Sequence, residues 1–168
     1  LRDARGEIAY KNGDQYRGEW ANDLKQGQGI YYYANGEIYD GLWYNDVKMG
    51  RGKYNYKNGD QYEGEWSDGT RQGYGIFKDN LGNVYEGDWL NDMKMGSGTY
   101  RGVNGDTYVG DWVNNFRHGR GKITYSNGDK YEGDWVDDEK EGQGVEIFIA
   151  DGIIYKGEFR KGLFHGAG

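Results

Sequence analysis

Along this chain, large apolar side chains recur at alternate positions in short segments, and the segments recur at a fixed interval. Tyr-x-Gly-x-Trp stands at Tyr16–Trp20, Tyr39–Trp43, Tyr62–Trp66, Tyr85–Trp89, Tyr108–Trp112 and Tyr131–Trp135, each 23 residues after the last, and Tyr155–Phe159 follows after 24. Eleven and thirteen residues beyond each Tyr lies a Gly-x-Gly, from Gly27/Gly29 through Gly142/Gly144 to Gly166/Gly168. Period-two alternation predicts a strand, so each unit predicts a β-hairpin. Its first strand is Tyr-x-Gly-x-Trp. A polar connection such as "ANDLKQ" or "YNDVKM" follows, and the second strand begins at Gly-x-Gly. Asn-Gly at Asn12-Gly13, Asn35-Gly36, Asn58-Gly59, Asn104-Gly105 and Asn127-Gly128 predicts tight links whose twist matches paired strands, with Leu81-Gly82 and Asp151-Gly152 as weaker variants. A helix is excluded, because so many glycines are costly in helix interiors.

Seven copies in phase predict an all-β fold: an elongated single-layer antiparallel sheet of tandem 23-residue β-hairpin repeats with one aromatic face. The expected organisation is one array over 1–168. Residues 1–15 are the tail of a preceding unit, 16–38, 39–61, 62–84, 85–107, 108–130 and 131–154 are full units, and 155–168 is a partial one. Gly6 and Gly168 share the phase of a second Gly-x-Gly glycine, so the array is expected to be a segment of a longer one.

Strand alternation sorts the residues into faces. The structural aromatics of the repeat are Tyr16, Trp20, Tyr39, Trp43, Tyr62, Trp66, Tyr85, Trp89, Tyr108, Trp112, Tyr131, Trp135, Tyr155 and Phe159. They share one face with a row from the second strands: Tyr10, Tyr31, Tyr33, Tyr54, Tyr56, Phe77, Tyr100, Tyr125 and Phe148. The first set reads as core, packed over glycines that leave room for the rings. The second set reads as a candidate groove, because a single layer has no second layer to cover it. Asp79 and Gly102 interrupt that row, as a bend, a polar slot or ordinary drift. The opposite face carries Glu19, Asp40, Glu63, Glu65 and their equivalents with Arg51, Lys53, Arg120 and Lys122, and reads as solvated. A candidate basic edge, Lys25, Lys48, Arg71, Lys94, Arg117 and Lys140, lies nine residues past each Tyr. It reads either as a contact for acidic partners or lipid headgroups, or as a solvated edge that discourages strand pairing.

Composition changes this picture mainly by subtraction. The chain has 17 Tyr, 6 Trp and 32 Gly but no Pro or Cys, and a mean hydropathy of -1.07, so any core is thin and aromatic. A net charge of -7 argues against nucleic acid and against general affinity for anionic lipid. Without Cys there is no disulfide or thiolate chemistry. No apolar run approaches the roughly 18 residues that a spanning helix needs. His118 and His165 occupy equivalent positions about two repeats apart, and no nucleotide, calcium or triad motif occurs. No catalysis, metal or cofactor is expected.

The Tyr-x-Gly-x-Trp and Gly-x-Gly pattern at 23-residue spacing resembles MORN (membrane occupation and recognition nexus) repeats, and the resemblance covers essentially the whole chain. It implies a non-catalytic scaffold in a cytoskeletal or membrane-adjacent assembly, with a cytoplasmic setting. The expected occupant of the groove is a protein segment, extended or helical, or a second copy of the chain. The alternative implied by the family name is a phospholipid-binding module with weak lipid contact. Near-identical copies such as "YKNGDQYRGEW" and "YKNGDQYEGEW" differ only at Arg17 and Glu63, on the solvated face. Specificity is therefore expected where the units differ on the aromatic side.

Overall fold

A computed structural model of the chain describes residues 4–166, so Leu1 and Gly168 lie outside it. The described residues divide into two compact units. One runs to Asn80 and includes Leu90–Asp92; the other comprises Leu81–Trp89 and the residues from Met93 on. In the first, β1 (Ala4–Ala9), β2 (Gln15–Ala21), β3 (Leu24–Tyr32), β4 (Ile38–Tyr44), β5 (Val47–Asn55), β6 (Gln61–Ser67) and β7 (Thr70–Lys78) are hydrogen-bonded in chain order. In the second, β8 (Val84–Leu90), β9 (Met93–Arg101), β10 (Thr107–Val113), β11 (Phe116–Thr124), β12 (Lys130–Val136), β13 (Glu139–Phe148), β14 (Ile153–Arg160) and β15 (Leu163–His165) follow the same rule. No helix occurs among the described residues. The fold is an open antiparallel sheet with its aromatic side chains gathered on one face.

The turns differ from the expected ones in a way the backbone explains. The tightest links lie inside the repeats, where two residues with positive φ join the strands: Asn22 (51°) and Asp23 (63°) between Ala21 and Leu24, and likewise Asn45/Asp46, Asp68/Gly69, Asn91/Asp92, Asn114/Asn115 and Asp137/Asp138. Asn and Asp tolerate the left-handed region because their short polar side chains bond locally. The connection "ANDLKQ" is thus only two residues long, and the second strand resumes at Leu24, ahead of Gly-x-Gly. At the Asn-Gly links only the glycine turns left-handed (Gly13, φ 93°). There Gly13 N–H donates to Tyr10 O at 3.0 Å and Tyr10 N–H to Asp14 O at 2.9 Å. Asn12 keeps negative φ and accepts from Asp14 N–H through its side chain at 3.1 Å. These links are wider turns than the two-residue hairpin expected from Asn-Gly.

The two glycines of Gly-x-Gly do different jobs. The first, Gly27 with φ 63°, sits where the β2–β3 register shifts between Gly18 and Glu19. The second faces the motif glycine of the partner strand, Gly29 against Gly18, and the Tyr16 ring lies over both. A Cβ on Gly29 would meet the Tyr16 hydroxyl at 2.2 Å, and one on Gly18 would meet Gly29 Cα at 2.5 Å. Glycine is required there by close approach.

Candidate functional site

The aromatic face is built in two tiers. The lower tier is the repeated motif. Tyr16, Tyr39, Tyr62, Tyr85, Tyr108 and Tyr131 are fully buried, and Trp43, Trp66, Trp89, Trp112, Trp135 and Phe159 are buried beside them. Each Tyr is held edge-on between two indoles or their equivalent: Tyr39 lies 5.1 Å from Trp43 and 5.3 Å from Trp66, near 90° to both, and Tyr108 lies 5.2 Å from Trp112 and 5.3 Å from Trp135. This is the edge-to-face geometry that aromatic quadrupoles favour. The phenols are satisfied by backbone: Tyr16 donates to Glu19 O at 2.9 Å and Tyr62 to Glu65 O at 3.0 Å, and Tyr155 in the last unit does the same with Glu158 O. The indoles reach back one unit, Trp43 to Gly29 O and Trp135 to Gly121 O, both at 3.1 Å. Burial pushes the Tyr16 phenol up to about 12, helped by the Glu19 charge, and raises Tyr39, Tyr62, Tyr85, Tyr108 and Tyr131 as well.

The upper tier is the candidate groove row. In the first unit its rings form a continuous series: Tyr10 to Tyr31 (5.9 Å), Tyr31 to Tyr33 (4.6 Å), Tyr33 to Tyr54 (5.8 Å), Tyr54 to Tyr56 (4.5 Å) and Tyr56 to Phe77 (6.3 Å). Tyr54 is buried and the rest are half-buried. In the second unit, Tyr100, Tyr125 and Phe148 are half-buried but Gly102 removes one ring. Gly102 makes the same turn as Tyr10, with Gly102 N–H to Asp106 O at 2.8 Å, so the row is opened there rather than bent at the turn. A depression of about 380 Å³ lies there, lined by Tyr100, Trp112 and Ile123 with Lys94 and Arg117 at its cationic side. Asp79 is half-buried in the first unit.

The cations expected along a solvated edge instead lie over the rings. Lys25 Nζ is 5.2 Å from the Trp43 ring, Lys48 is 4.4 Å from Trp66, Lys94 is 5.0 Å from Trp112, and the Arg117 guanidinium carbon is 4.4 Å from Trp135. Arg71 sits over Tyr62 and Phe77, and Lys140 over Tyr131. The reason is register: with strand two resuming at Leu24, Lys25 pairs directly with Trp20 and shares its face. The rings attract the cations through their negative faces.

Sequence reasoning missed two features here. One is the residue two places before each motif Tyr. Asp14 accepts from Tyr31 O–H at 2.7 Å and from Ala34 N–H at 2.8 Å, clipping one turn to the next. Glu37 does the same for Tyr54 and Lys57, and Asp60, Asn83, Asp106 and Asp129 accept from the corresponding backbone N–H. The Tyr31 bond holds the Asp14 carboxyl below its usual range, and the Tyr54 bond does so for Glu37. Recurrence of an oxygen-bearing side chain at that place in six units was the signal. The other is Glu146, which stands opposite Tyr131 where other units carry an aromatic or Ile123. It is buried and paired with Lys140.

On the other face, charges stay in solvent. Arg101 pairs with Glu86 at 3.2 Å, Arg120 with Asp134 at 3.0 Å and Lys122 with Glu132 at 3.8 Å. Exposed pairs of this kind add little stability. Among the described residues, no group of three or more His, Asp or Glu side chains converges as a metal site requires.

Comparison with known proteins adds to this geometry. Among solved structures, the chain is similar to the TCP domain of SAS-4 (dCPAP) of Drosophila melanogaster, in complex with a proline-rich motif of Ana2 (dSTIL). Identity is 14%, the TM-score is 0.55, and the match covers 95% of this chain and 90% of that one. The wild-type TCP10 domain of Danio rerio CPAP matches over 91% of this chain and 83% of that one, at 10% identity and a TM-score of 0.35. The first likeness shows a shared fold. A search of curated proteins finds no match. The MORN repeat model matches residues 16–38, 39–61, 62–80, 85–107, 108–130, 131–149 and 155–168, the same stretches that build the repeated hairpins, and the chain therefore belongs to the MORN-repeat family.

Proposed function

We propose that the chain is a non-catalytic scaffold that binds a protein segment along its aromatic face, within a cytoskeletal or membrane-adjacent assembly. The observation that carries this reading is the half-buried ring row over the motif tier. The motif tyrosines and tryptophans already make a closed, satisfied layer, so Tyr33, Tyr56 and Phe77 are not needed to complete it. Rings left partly in water beside one another favour a partner that covers them. The SAS-4 domain that shares the fold is seen with a proline-rich motif of Ana2, and this supports a peptide as the class of occupant. The lipid alternative is weakened by where the cations lie: Lys25, Arg71 and Arg117 are engaged by rings and by aspartates.

Replacing Tyr33, Tyr56 and Tyr125 by Ser tests the reading by pull-down from cells that express the chain. The triple variant is expected to lose its co-purifying proteins while its circular dichroism stays native. Retained binding in a natively folded variant refutes the groove. Flotation with anionic liposomes at physiological salt separates the lipid alternative, since a scaffold of this kind stays with the unbound fraction.

A further inference from the structure

Only half of the cation row has an aspartate at the corresponding turn position: Lys94 has Asn115 there, Lys140 has Gly162 and Lys48 has Gly69. In three units the cation is neutralised by an aspartate in the next unit's two-residue turn: Lys25 by Asp46 at 3.0 Å, Arg71 by Asp92 at 2.9 Å and Arg117 by Asp138 at 2.9 Å. Lys140 is paired with Glu146. At Lys48 the corresponding turn residue is Gly69. The backbone there is unchanged, since Gly69 N–H donates to Lys48 O at 3.1 Å as Asp46 N–H does to Lys25 O at 3.1 Å. What is missing is the carboxylate. Among the described residues, none lies within ion-pair distance of the Lys48 ammonium. It sits half-buried over Trp66 (4.4 Å), Tyr54 (4.7 Å) and Tyr39 (5.5 Å). Burial lowers its pKa; the Asp92 and Glu37 charges oppose this, and the Arg71 charge adds a smaller push downward. A desolvated cation without a counter-ion is costly unless one is supplied.

We propose that Lys48 anchors a carboxylate supplied in trans, an Asp or Glu side chain of an acidic partner segment lying along the Tyr33/Tyr56 row. Three sister repeats specify the ligand chemistry: at Lys25, Arg71 and Arg117 the same seat, between the turn and the rings, is filled by an aspartate carboxylate. The inference rests on the reading of this face as a partner groove. It also supplies its own control. A Cβ at Gly69 meets only Val47, at 3.9 Å, and the φ of 79° lies near those of Asp46 (67°), Asp92 (66°) and Asp138 (71°) at the same turn position. Gly69→Asp therefore fits, and it fills the seat from within the chain. Gly69→Asn is the neutral match, as Asn115 occupies that place with φ 74°.

The test is selection of peptides from a random library on the intact chain, followed by titration of the recovered peptides against variants checked by circular dichroism. Recovered peptides are expected to share an Asp or Glu. Changing that residue to Asn or Gln, Gly69→Asp in the chain, or Lys48→Met should each weaken binding by about tenfold or more, as for a charge-assisted bond, while Gly69→Asn leaves it near wild type. Peptides that are lost with Tyr33→Ser and Tyr56→Ser but are indifferent to Gly69→Asp and to their own acidic residue overturn the Lys48 anchor and leave the groove standing. Peptides indifferent to the tyrosine changes, or a selection that recovers none, overturn both.

Discussion

The two compact units carry the same lower tier and different upper tiers. In the first, Tyr31, Tyr33, Tyr54 and Tyr56 run ring to ring, and two of their phenols are tied to Asp14 and Glu37. In the second, Gly102 opens the row, Ile123 replaces a tyrosine, and Glu146 buries a charge against Lys140. Beneath both, the motif tyrosine is shut away from solvent and bonded to the same backbone carbonyl, as Tyr62 and Tyr131 show. The hairpin frame is thus independent of what the second strand displays above it. A repeat whose stability resides in one tier is free to vary the other, and that is where recognition can differ between units.

Alkali should produce the largest effect on this comparison. The buried phenols keep their protons above the ordinary tyrosine value of 10.0, with Tyr16 at about 12. Between those values the unfolded chain has ionised while the folded chain has not. The contribution is therefore complete below about pH 10 and is lost as pH rises toward the folded values. Urea midpoints followed by Trp fluorescence should fall steeply from about pH 10 upward. Burial also raises Tyr31, Tyr33, Tyr54 and Tyr56, all in the first unit, so brief proteolysis above pH 10 should cut the first unit before the second. A stability that stays level to pH 12 would contradict the burial of the phenols. Simultaneous cutting would remove the distinction between the upper tiers.

Next in size is a test that the frames are equal. Gly29→Ala and Gly121→Ala place a methyl group 2.2 Å from the Tyr16 and Tyr108 hydroxyls, with the ring atoms at 2.5 Å. Overpacking of this kind costs about 2–3 kcal/mol, and the two variants should lose the same amount in urea unfolding. A difference above about 1 kcal/mol would mean that the upper tier supports the lower one after all.

How far the sequence discloses this arrangement follows from which features are periodic and which depend on register. Tyr, Gly and Trp recur with both their spacing and their chemistry intact, so hairpins, the aromatic face and the family are readable from the chain alone. The turn types are readable only in part. Asn12-Gly13 looks like the tighter link, yet Asn22-Asp23 is the pair that takes left-handed φ at both residues. Composition alone does not rank the two. The direction of Lys25 is hidden more deeply, because it follows from a strand that resumes at Leu24 and pairs Lys25 with Trp20. A polar residue next to a turn reads as solvated until that register is known. Glu146 escapes because it departs from the pattern of its row, and a periodic reading averages such a departure away.

A third change probes the second unit's own departure. Glu146→Ala leaves the Lys140 ammonium, poorly exposed beside Tyr125 and Tyr131, without its carboxylate, and should cost about 2 kcal/mol in urea unfolding. Glu146→Tyr instead recreates the arrangement of Lys48 beside Tyr54, a cation on a ring without a carboxylate, and should recover through the ring contact only part of that loss. If the tyrosine variant is as unstable as the alanine one, the two units do not share an interchangeable upper tier.

The smallest expected effect isolates the phenol ties of the first unit. Tyr54→Phe keeps the ring in its series and removes the hydroxyl that donates to Glu37 at 2.7 Å and also bonds Tyr33, so the loss should be about 1 kcal/mol at neutral pH. The same bond is the main cause of the lowered Glu37 pKa, with the Asn35 side chain and Lys57 N–H adding to it and burial opposing it. A carboxyl with a depressed folded pKa contributes stability above its unfolded value of 4.5, and that contribution is lost as pH falls through the folded value. The gap between wild type and Tyr54→Phe should therefore be widest near neutrality and narrow below about pH 4.5. Carboxyl NMR should show the Glu37 titration moving up in the variant. In the second unit, Asp106 clips Ser126 N–H at 2.8 Å opposite a strand that offers Ile123 in place of a phenol. Ile123→Tyr offers that phenol to Asp106, and a gain in stability that also fades in acid would show that the tie is portable between the units. A gap for Tyr54→Phe that is flat with pH would mean that the ring packing, and not the carboxylate, holds the tyrosine row together.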